Sequence, residues 1–340
     1  STLMRSSAAS DVYKRQVVGS DAIIHLTERY GLQMEQATKD LLNIVSDWDG
    51  KDDGRTAFNI RENCASAGRA STEHIKIESK EDAPGLNIRV LPGTAGEKVY
   101  IPACITKAGV DDLVYNDFYI AEGADVTIVA GCGIHTETGE PARHNGIHRF
   151  FLEKNSHVLY LEKHVGTGFI KAKRSIDPVT EAWLADGALL EMETSQLGGV
   201  QTALRNTKAT LEGASSLVIR EHLLTDSDET LTTNFDVVLN GDGSSVNLVS
   251  RSVARGESYQ EYHSNIVGNA KCSGHSECDA IITDHGKVTA QPALTAANED
   301  AALIHEAAIG KIAGEQILKL RTLGLTESEA EAAIINGFLK

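Results

Sequence analysis

The fold is decided by one pattern that recurs five times: EGADVTI (122–128), EKNSHVLY (153–160), ADGALLEM (185–192), LEGASSLVI (211–219) and NGDGSSVNLV (240–249). Each copy has a polar turn with Gly or Asn, then a small residue, then a β-rich run, and successive copies start 31, 32, 26 and 29 residues apart. A strand-rich repeat of about 30 residues is typical of stacked rungs. The sequence therefore predicts a parallel β-helix, with an antiparallel sandwich as the alternative.

Helical patterns lie on both sides of this β-rich body. Residues 20–48 carry apolar residues at spacings of three and four, which predicts helix. The helical period returns in a segment that Asn298 would cap at its start and Gly324 would end. Thr326 followed by Glu329 predicts a capping box for a second helix. The expected order is helix, long β-body, helical hairpin.

Four segments follow from these patterns. Residues 1–16 contain SSAASDVYKRQ, which resembles a translated sequencing adapter, so we interpret this segment as an artefact. Residues 17–55 are predicted to form an N-terminal helical region. Residues 56–295 are predicted to form the β-helix core, and residues 296–340 a C-terminal helical region.

Composition excludes several classes of protein. The 340 residues include 41% hydrophobic side chains, which disfavours intrinsic disorder, and no run reaches the roughly 18 apolar residues of a membrane span. The net charge of −16 disfavours nucleic-acid binding. Five cysteines are too few for a secreted disulfide framework, so we expect a cytoplasmic protein. Neither a phosphate-binding loop nor a nucleophile elbow is present, so we do not expect the chain to hydrolyse ATP itself.

The segment KCSGHSECDAIITDHG (271–286) is the first candidate for chemistry. Cys272, His275 and Cys278 have C-x2-H-x2-C spacing, and His285 follows seven residues later. Thiolate and imidazole are ligands that zinc and iron–sulfur clusters prefer, so the pattern predicts a metal site. The alternative is that these cysteines are small buried side chains, because cysteine is among the residue types most often buried.

A second candidate is a histidine-rich stretch that Gly and Pro residues place on a loop. Metal binding by this loop is one interpretation, and a solvated polar loop is the other. Its candidate residues are Cys132, His135, His144 and His148, with His157 and His164 following.

A third candidate is the pair His305 and Glu306, predicted near the start of the C-terminal helix. Adjacent helical residues point about 100° apart, so the two need not bind one ion. The alternative is an exposed glutamate next to a partly buried histidine.

These segments together resemble one family. CDAIIT (278–283) and LTAANEDAALIHEAAIGKIAGEQILKLRTLGLTESEAEAAIINGF (294–338) are similar to the C-terminal signature of the SufB/SufD family, the scaffold proteins of the SUF iron–sulfur assembly system. GCGIH (131–135) and HRFFLEKNSHVLYLEKHVGTG (148–168) resemble the family's central β-body. The resemblance covers about residues 90–340. It implies a right-handed parallel β-helix flanked by N- and C-terminal helices.

The resemblance also implies roles for individual residues. It places Cys278 at the family's cluster-assembly cysteine, and His305 and Glu306 at the His-Glu pair that contributes to cluster formation in SufB. It places Cys132 at a position implicated in sulfur entry. Because Cys278, His305 and Glu306 occur together, the chain resembles SufB more than SufD.

Cofactor and partners are implied in the same way. The resemblance implies an assembly scaffold that is not itself an enzyme and that holds a transient iron–sulfur cluster. The sequence leaves open whether a flavin takes part. The expected partners are a SufC-type ABC ATPase docked on the C-terminal helices, a second copy of the chain or a SufD-like paralogue, and a desulfurase or shuttle as sulfur donor. The alternatives are a SufD-like structural partner without a cluster and a β-helical carbohydrate-active enzyme. Only 2 Trp and 5% aromatic residues make the last one weak.

Overall fold

The computed structural model describes residues 35–46, 55–169, 171 and 173–340. The predicted artefact, the first part of the predicted N-terminal helix and the polar loop after it lie outside the described residues. The predicted helix is confirmed over Gln36–Val45, which is here α1. None of the described helices is long and apolar enough to cross a membrane.

Two sheets of stacked strands make up most of the described chain. The strands are β1 (Thr56–Glu62), β2 (Ala65–Ala70), β3 (Ile75–Ser79), β4 (Gly85–Val90), β5 (Ala95–Ile105), β6 (Asp111–Ile120), β7 (Asp125–Thr136), β8 (Ala142–Leu152), β9 (His157–Gly168), β10 (Arg174–Ile176), β11 (Val179–Leu184), β12 (Leu189–Gln196), β13 (Thr202–Leu211), β14 (Ser216–Thr225), β15 (Thr230–Leu239), β16 (Ser245–Ala254), β17 (Tyr259–Gly268), β18 (Ser273–Ile282), β19 (Lys287–Ala296) and β20 (Ala302–Gly310). Two helices follow, α2 (Gly314–Thr322) and α3 (Glu327–Phe338).

The chain alternates between these sheets, so each circuit, here called a rung, adds one strand to each sheet. Sheet A has the order β2-β1-β5-β7-β9-β12-β14-β16-β18-β20. Sheet B has the order β19-β17-β15-β13-β10-β8-β6-β4-β3, with β11 also pairing with β8 and β13. The hairpins β1–β2 and β3–β4 are antiparallel, and the successive rungs pair in parallel. The predicted parallel β-helix is therefore confirmed, and the sandwich is excluded.

The repeat in the sequence reflects the register in which successive rungs pair. Asp125 pairs with His157, then Leu189, Ser216 and Ser245 follow on successive strands of sheet A, at steps of 32, 32, 27 and 29 residues. These steps agree with the spacing of the five sequence copies. The period read from the sequence is the length of chain needed for one rung.

A left-handed backbone position explains why each copy contains Gly or Asn. Asn155 and Gly213 have φ values of +55° and +57° in equivalent turns before β9 and β14. A Cβ atom at Gly213 would lie 2.2 Å from Oδ1 of Asp186 in the preceding rung. The small residue that follows, Ser156 or Ser215, is fully buried at the corner between the sheets. The Gly or Asn and the small residue of each sequence copy therefore occupy the positions where the rung needs a left-handed backbone and a small side chain.

Alternating side chains fill the space between the sheets. In β14, every second residue is buried and the others are partly exposed. Large apolar side chains stack in register, and the rings of Phe118 and Phe150 lie 4.6 Å apart and nearly parallel. This alternation places each residue either inside the β-helix or on its outer surface.

Helix α1 packs on the outer face of sheet A. Its residues Leu41 and Val45 join a buried cluster with side chains of β1, β5, β7 and β9. Two glycines of β7 allow this close approach. A Cβ atom at Gly131 would lie 2.7 Å from the Val45 carbonyl oxygen, and one at Gly133 would lie 2.7 Å from Cδ2 of Leu41.

The predicted helix from Asn298 to Gly324 is wrong over its first half. Residues 302–310 form β20, which pairs in parallel with β18, and only 314–322 are helical. Asn298 lies in the turn before β20, where its Oδ1 accepts a hydrogen bond from the Asp300 N–H. The sequence ALIHEAAI favours a helix by local propensity, but the hydrogen bonds of one further rung outweigh that preference. The β-helix therefore extends to Gly310 rather than 295.

The predicted C-terminal hairpin is confirmed in α2 and α3. Gly324 follows α2 with φ of +99°, as expected for a helix-ending glycine. Thr326 and Glu329 form the predicted capping box at the start of α3. Helix α2 buries none of its residues, and Leu318 is 61% exposed.

The contact between α1 and β7 generates the first prediction. Gly131→Ala should lower the free energy of unfolding by about 1–3 kcal/mol, because the new methyl group meets backbone oxygens of Val45 and Lys163. Gly139→Ala is the matched control, since a Cβ there meets only Phe169 at 3.8 Å. Urea unfolding of both variants measures the difference. Equal stability of the two would contradict the assigned packing.

Candidate functional site

A cavity of about 300 Å³ lies between the sheets in the first rungs. It is lined by Cys132 of β7, by His144 and His148 of β8, and by Glu162 and His164 of β9. The prediction of a histidine-rich loop is therefore wrong. These residues lie on strands, and their side chains are buried because alternate strand positions face the interior.

Two of the predicted histidines are not part of this cavity lining. His135 lies at the end of β7, where its ring contacts the Thr167 hydroxyl and the Glu137 carboxylate. His157 lies on the outer face of β9, within 3.2 Å of Glu191. The structure thus gathers His144, His148 and His164 and leaves the other two outside.

A chain of hydrogen bonds fixes the ring of His148. The Asn116 amide lies 3.3 Å from its Nε2, and the Tyr160 hydroxyl lies 2.6 Å from its Nδ1. Tyr160 in turn donates to Glu162 over 2.7 Å. Only a neutral ring that accepts at Nε2 and donates at Nδ1 satisfies this order of donors. Burial lowers the pKa of His148 to about 4, consistent with a neutral imidazole.

Buried charges cross the interior beside the cavity. The guanidinium of Arg205 contacts Glu162 at 3.0 Å and Glu221 at 3.3 Å, and it donates to Nδ1 of His164 at 2.9 Å. Burial opposes ionisation of Glu162, but contacts with His164 and Arg205 hold its pKa well below the usual range. Sequence reasoning missed Glu162 and Arg205, because the pair is 43 residues apart and only the rung register brings it together.

A further thiol lies along the same cavity. Cys64 is exposed in the turn between β1 and β2, has φ of +72°, and lines the cavity that also contains Cys132. Arg61 binds Asp112 through two nitrogens there, and Asp112 contacts Nδ1 of His144 at 3.1 Å. Sequence reasoning gave Cys64 no role, since no other candidate ligand lies near it in the chain.

Cys132 is the thiol at the inner side of the cavity. Burial, and after it the proximity of Cys104 and of acidic groups, raises the pKa of Cys132 well above its usual value. In the lining of the same cavity, Oδ1 of Asn116 is buried without a hydrogen-bond partner among the described residues. Such unsatisfied atoms are rare inside proteins and mark places where water or a polar guest can bind.

Polar side chains continue from the cavity along the inner face of sheet A. In register, Glu162 is followed by Thr194, Glu221, Ser250 and Cys278 on successive strands. At about 4.8 Å per strand, the column spans about 19 Å. It therefore links the cavity with the last rung through buried polar groups.

Cys278 ends this column on the inner face of β18. Its neighbour on β20 is Ala307, and His305 lies opposite Ser276, so His305 is on the same inner face one residue pair away. Burial, and then Glu221 and Asp279, raises the pKa of Cys278 to about 12. Nδ1 of His305 is buried and has no hydrogen-bond partner among the described residues. The structure therefore places Cys278 and His305 on the same inner face of neighbouring strands.

Glu306 lies on the opposite face of the sheet. It points outward from β20, opposite Glu277, and its carboxylate is 3.5 Å from Nε2 of His275. Burial, and then Asp279, raises the pKa of Glu277. A single site formed by Cys278, His305 and Glu306 of one chain is therefore wrong, because the sheet separates the carboxylate from the thiol.

The C-x2-H-x2-C pattern does not form a metal site either. Cys278 faces inward and His275 outward, because residues three apart in a strand lie on opposite faces. Cys272 precedes the strand, and six extended residues separate it from Cys278 by about 20 Å. His285 is exposed in the turn after β18. Among the described residues, the grouping that could hold a metal ion is His275, Glu277 and Glu306.

The protein is a parallel β-helix whose stacked rungs enclose thiols, imidazoles and carboxylates between two sheets. These side chains are suited to sulfur and metal chemistry. Residues 116–338 match the family model described as "SUF system FeS cluster assembly, SufBD core domain". The chain therefore belongs to the SufB/SufD family, and membership implies a role in iron–sulfur cluster assembly.

Curated relatives agree with this assignment. An "Iron-sulfur cluster assembly SufBD family protein" of Archaeoglobus fulgidus is 30% identical over 273 residues, which are 79% of this chain and 71% of that protein. A relative from Methanothermobacter thermautotrophicus (strain Winter) is 28% identical, over 77% of this chain and 64% of its own length. One from Methanocaldococcus jannaschii is 24% identical, over 78% of this chain and 85% of its own length.

The neutral state of His148 generates the second prediction. Its folded pKa of about 4 lies below the ordinary value of 6.5, so protons bind the unfolded chain first as the pH falls. The contribution of neutral His148 to the free energy of unfolding is therefore present above pH 6.5 and is lost as the pH falls toward 4. Between pH 7 and pH 5, His148 should account for a loss of about 2 kcal/mol.

Urea unfolding at the two pH values tests this. His148→Gln keeps one donor and one acceptor, and its stability should depend less on pH than that of the unaltered chain. His285→Gln, at an exposed histidine, is the control and should keep the full dependence. An unchanged pH dependence in His148→Gln would contradict the buried neutral ring.

Proposed function

We propose that the chain is a cytoplasmic scaffold on which iron–sulfur clusters are assembled at the last rung. The observation that carries this proposal is that Cys278 of β18 and His305 of β20 share one inner face at the end of the β-helix. A thiolate and an imidazole are ligands suited to iron, and Nδ1 of His305 has no other partner among the described residues.

The open end of the β-helix supports a transient site rather than a permanent one. Strand β20 pairs only with β18 among the described strands, and β19 only with β17, so each has a free edge. Two protein ligands leave a cluster incompletely coordinated, which allows its later release. A second copy of the chain, or a SufD-like paralogue, would cover the free edges and supply the remaining ligands.

Sulfur supply is the task that we assign to Cys132. Its thiolate attacks the outer sulfur of a donor persulfide, such as that of a desulfurase or shuttle. The new S–S bond forms on Cys132, the donor's S–S bond breaks, and the donor leaves as a thiolate. The proton that Cys132 loses goes to the departing donor thiolate, so the step balances without a base from the cavity. A reductant that supplies two electrons would then release this sulfur as sulfide for the cluster at Cys278.

The ATPase partner is assigned to the C-terminal hairpin. Helix α2 buries no side chain, and Leu318 in it and Leu323 directly after it are 61% and 72% exposed. Exposed apolar side chains on a helical surface are typical of docking sites. We propose that a SufC-type ABC ATPase covers them and supplies the energy of ATP hydrolysis to the complex.

Cluster formation generates the third prediction. Cys278→Ser should reduce bound iron and sulfide to background after anaerobic reconstitution with the ATPase, because it removes the thiol ligand of the last rung. Cys104→Ser is the matched control, since Cys104 is equally buried but lies under α1, outside the polar column. Iron and sulfide analysis with visible absorbance is the measurement. A normal cluster in Cys278→Ser would refute the assigned site.

Cys132→Ser separates sulfur delivery from cluster binding. With free sulfide as the sulfur source, this variant should form the cluster normally. With a persulfide donor, it should form little, because the acceptor thiol is missing. Loss of the cluster with both sources would assign Cys132 a structural role instead.

ATPase docking generates the fourth prediction. Leu318→Glu should abolish co-purification of the ATPase, because a charge replaces an apolar contact, and deletion of residues 325–340 should do the same. Leu204→Glu is the matched control, at a leucine that is 43% exposed on the β-helix. Circular dichroism should show an unchanged fold in both point variants. Full ATPase recovery with Leu318→Glu would remove the hairpin as the docking site.

A further inference from the structure

Three side chains on the outer face of the last rungs converge without any role in the inner cluster site. They are His275 and Glu277 of β18 and Glu306 of β20, and one nitrogen or oxygen atom from each lies within 4.8 Å of the others. Nε2 of His275 is 3.5 Å from Oε2 of Glu306. The group lies behind the sheet from Cys278, whose side chain faces inward.

The register between the rungs creates this grouping. Glu277 and Glu306 are direct partners in the parallel pair of β18 and β20. His275, two residues before Glu277, faces the same side. Like charges directly opposite each other on a sheet are destabilising unless a positive charge lies between them. Among the described ion pairs, Glu306 contacts only His275.

A residue one rung earlier orients the histidine. Nδ1 of His275 lies 2.9 Å from Oδ1 of Asn247 on β16. An amide oxygen only accepts hydrogen bonds, so Nδ1 carries the proton, and the neutral ring then has a lone pair at Nε2. This lone pair faces a carboxylate oxygen, which also only accepts. Two acceptors at 3.5 Å need a cation between them, either a proton or a metal ion.

We propose that His275, Glu277 and Glu306 form a binding site for one divalent transition-metal ion on the outer face of the last rungs. One imidazole and two carboxylates suit Mn²⁺, Fe²⁺ and Zn²⁺ and leave coordination positions open for water. Asn247 is the positioning residue, since a metal-binding histidine is typically held through its other ring nitrogen. The site itself does not depend on the proposed function. Only the identification of Fe²⁺ as the ion bound in the cell would rest on that function.

The chain contains a natural control for this site. On β17, His263 and Glu261 have the same spacing as His275 and Glu277, and their side chains are 3.6 Å apart on the outer surface. No third carboxylate joins them among the described metal-ligating groups. A histidine–glutamate pair alone is therefore present at one place, and the complete group of three at another.

Mn²⁺ binding to the full chain tests the proposal, measured by the electron paramagnetic resonance signal of the free ion. The unaltered chain should bind one Mn²⁺. His275→Ala and Glu277→Gln should each weaken the affinity at least about tenfold, and Asn247→Ala by about tenfold. His263→Ala should bind as the unaltered chain does.

Cys278→Ser separates this site from the cluster site. It should keep full Mn²⁺ affinity, because its thiol lies on the other face of the sheet. Unchanged binding in His275→Ala, or lost binding in His263→Ala or Cys278→Ser, would overturn the proposal. Failure of cluster assembly with normal Mn²⁺ binding would overturn the proposed function and leave the metal site in place.

Discussion

In-register hydrogen bonding between parallel rungs is the constraint on which every other feature depends. Each rung places its residues directly beside residues about 30 positions earlier in the chain, and a strand's side chains alternate between two faces. A slip of one residue between β18 and β20 would exchange those faces. His305 would then point into solvent, and Glu306 would enter the interior beside Cys278. The separation of thiol and carboxylate is thus set by the backbone register.

The charged interior is costly and needs this rigid frame. Glu162, Arg205 and Glu221 are all buried, and removal of one partner from such a network typically costs about 3–5 kcal/mol. Apolar residues of the same volume would stabilise a β-helix as well or better. A role in stability alone therefore explains this network poorly. The register arranges charged and hydroxyl side chains as one column from Glu162 to Cys278.

The β-helix could be predicted because its turns constrain the local sequence. The face on which each site residue lies could not, because it depends on pairing between distant strands. The left-handed turn at Gly213 and the buried corner at Ser215 constrain the sequence itself, so the period can be read from it. Strand β20 has no such signal, because its alanines and glutamate favour a helix until β18 provides hydrogen-bond partners. Family resemblance singled out Cys278 and His305, which the register places on the same inner face. It could not reveal that Glu306 faces outward, since facing depends on the register of a strand that was predicted as helix.

The last two strands of sheet A, β18 and β20, present two different chemistries on the two faces of the sheet. Inside are the thiol of Cys278 and the imidazole of His305; outside are His275 and two carboxylates. Hard oxygen ligands hold and exchange divalent ions, whereas thiolates hold iron once sulfur is present. Because β20 has a free edge among the described strands, the two faces meet there without any rung in between. An ion bound outside would have only the edge of one strand to cross to reach the thiol. The two proposed sites would therefore lie on opposite faces of the same sheet edge.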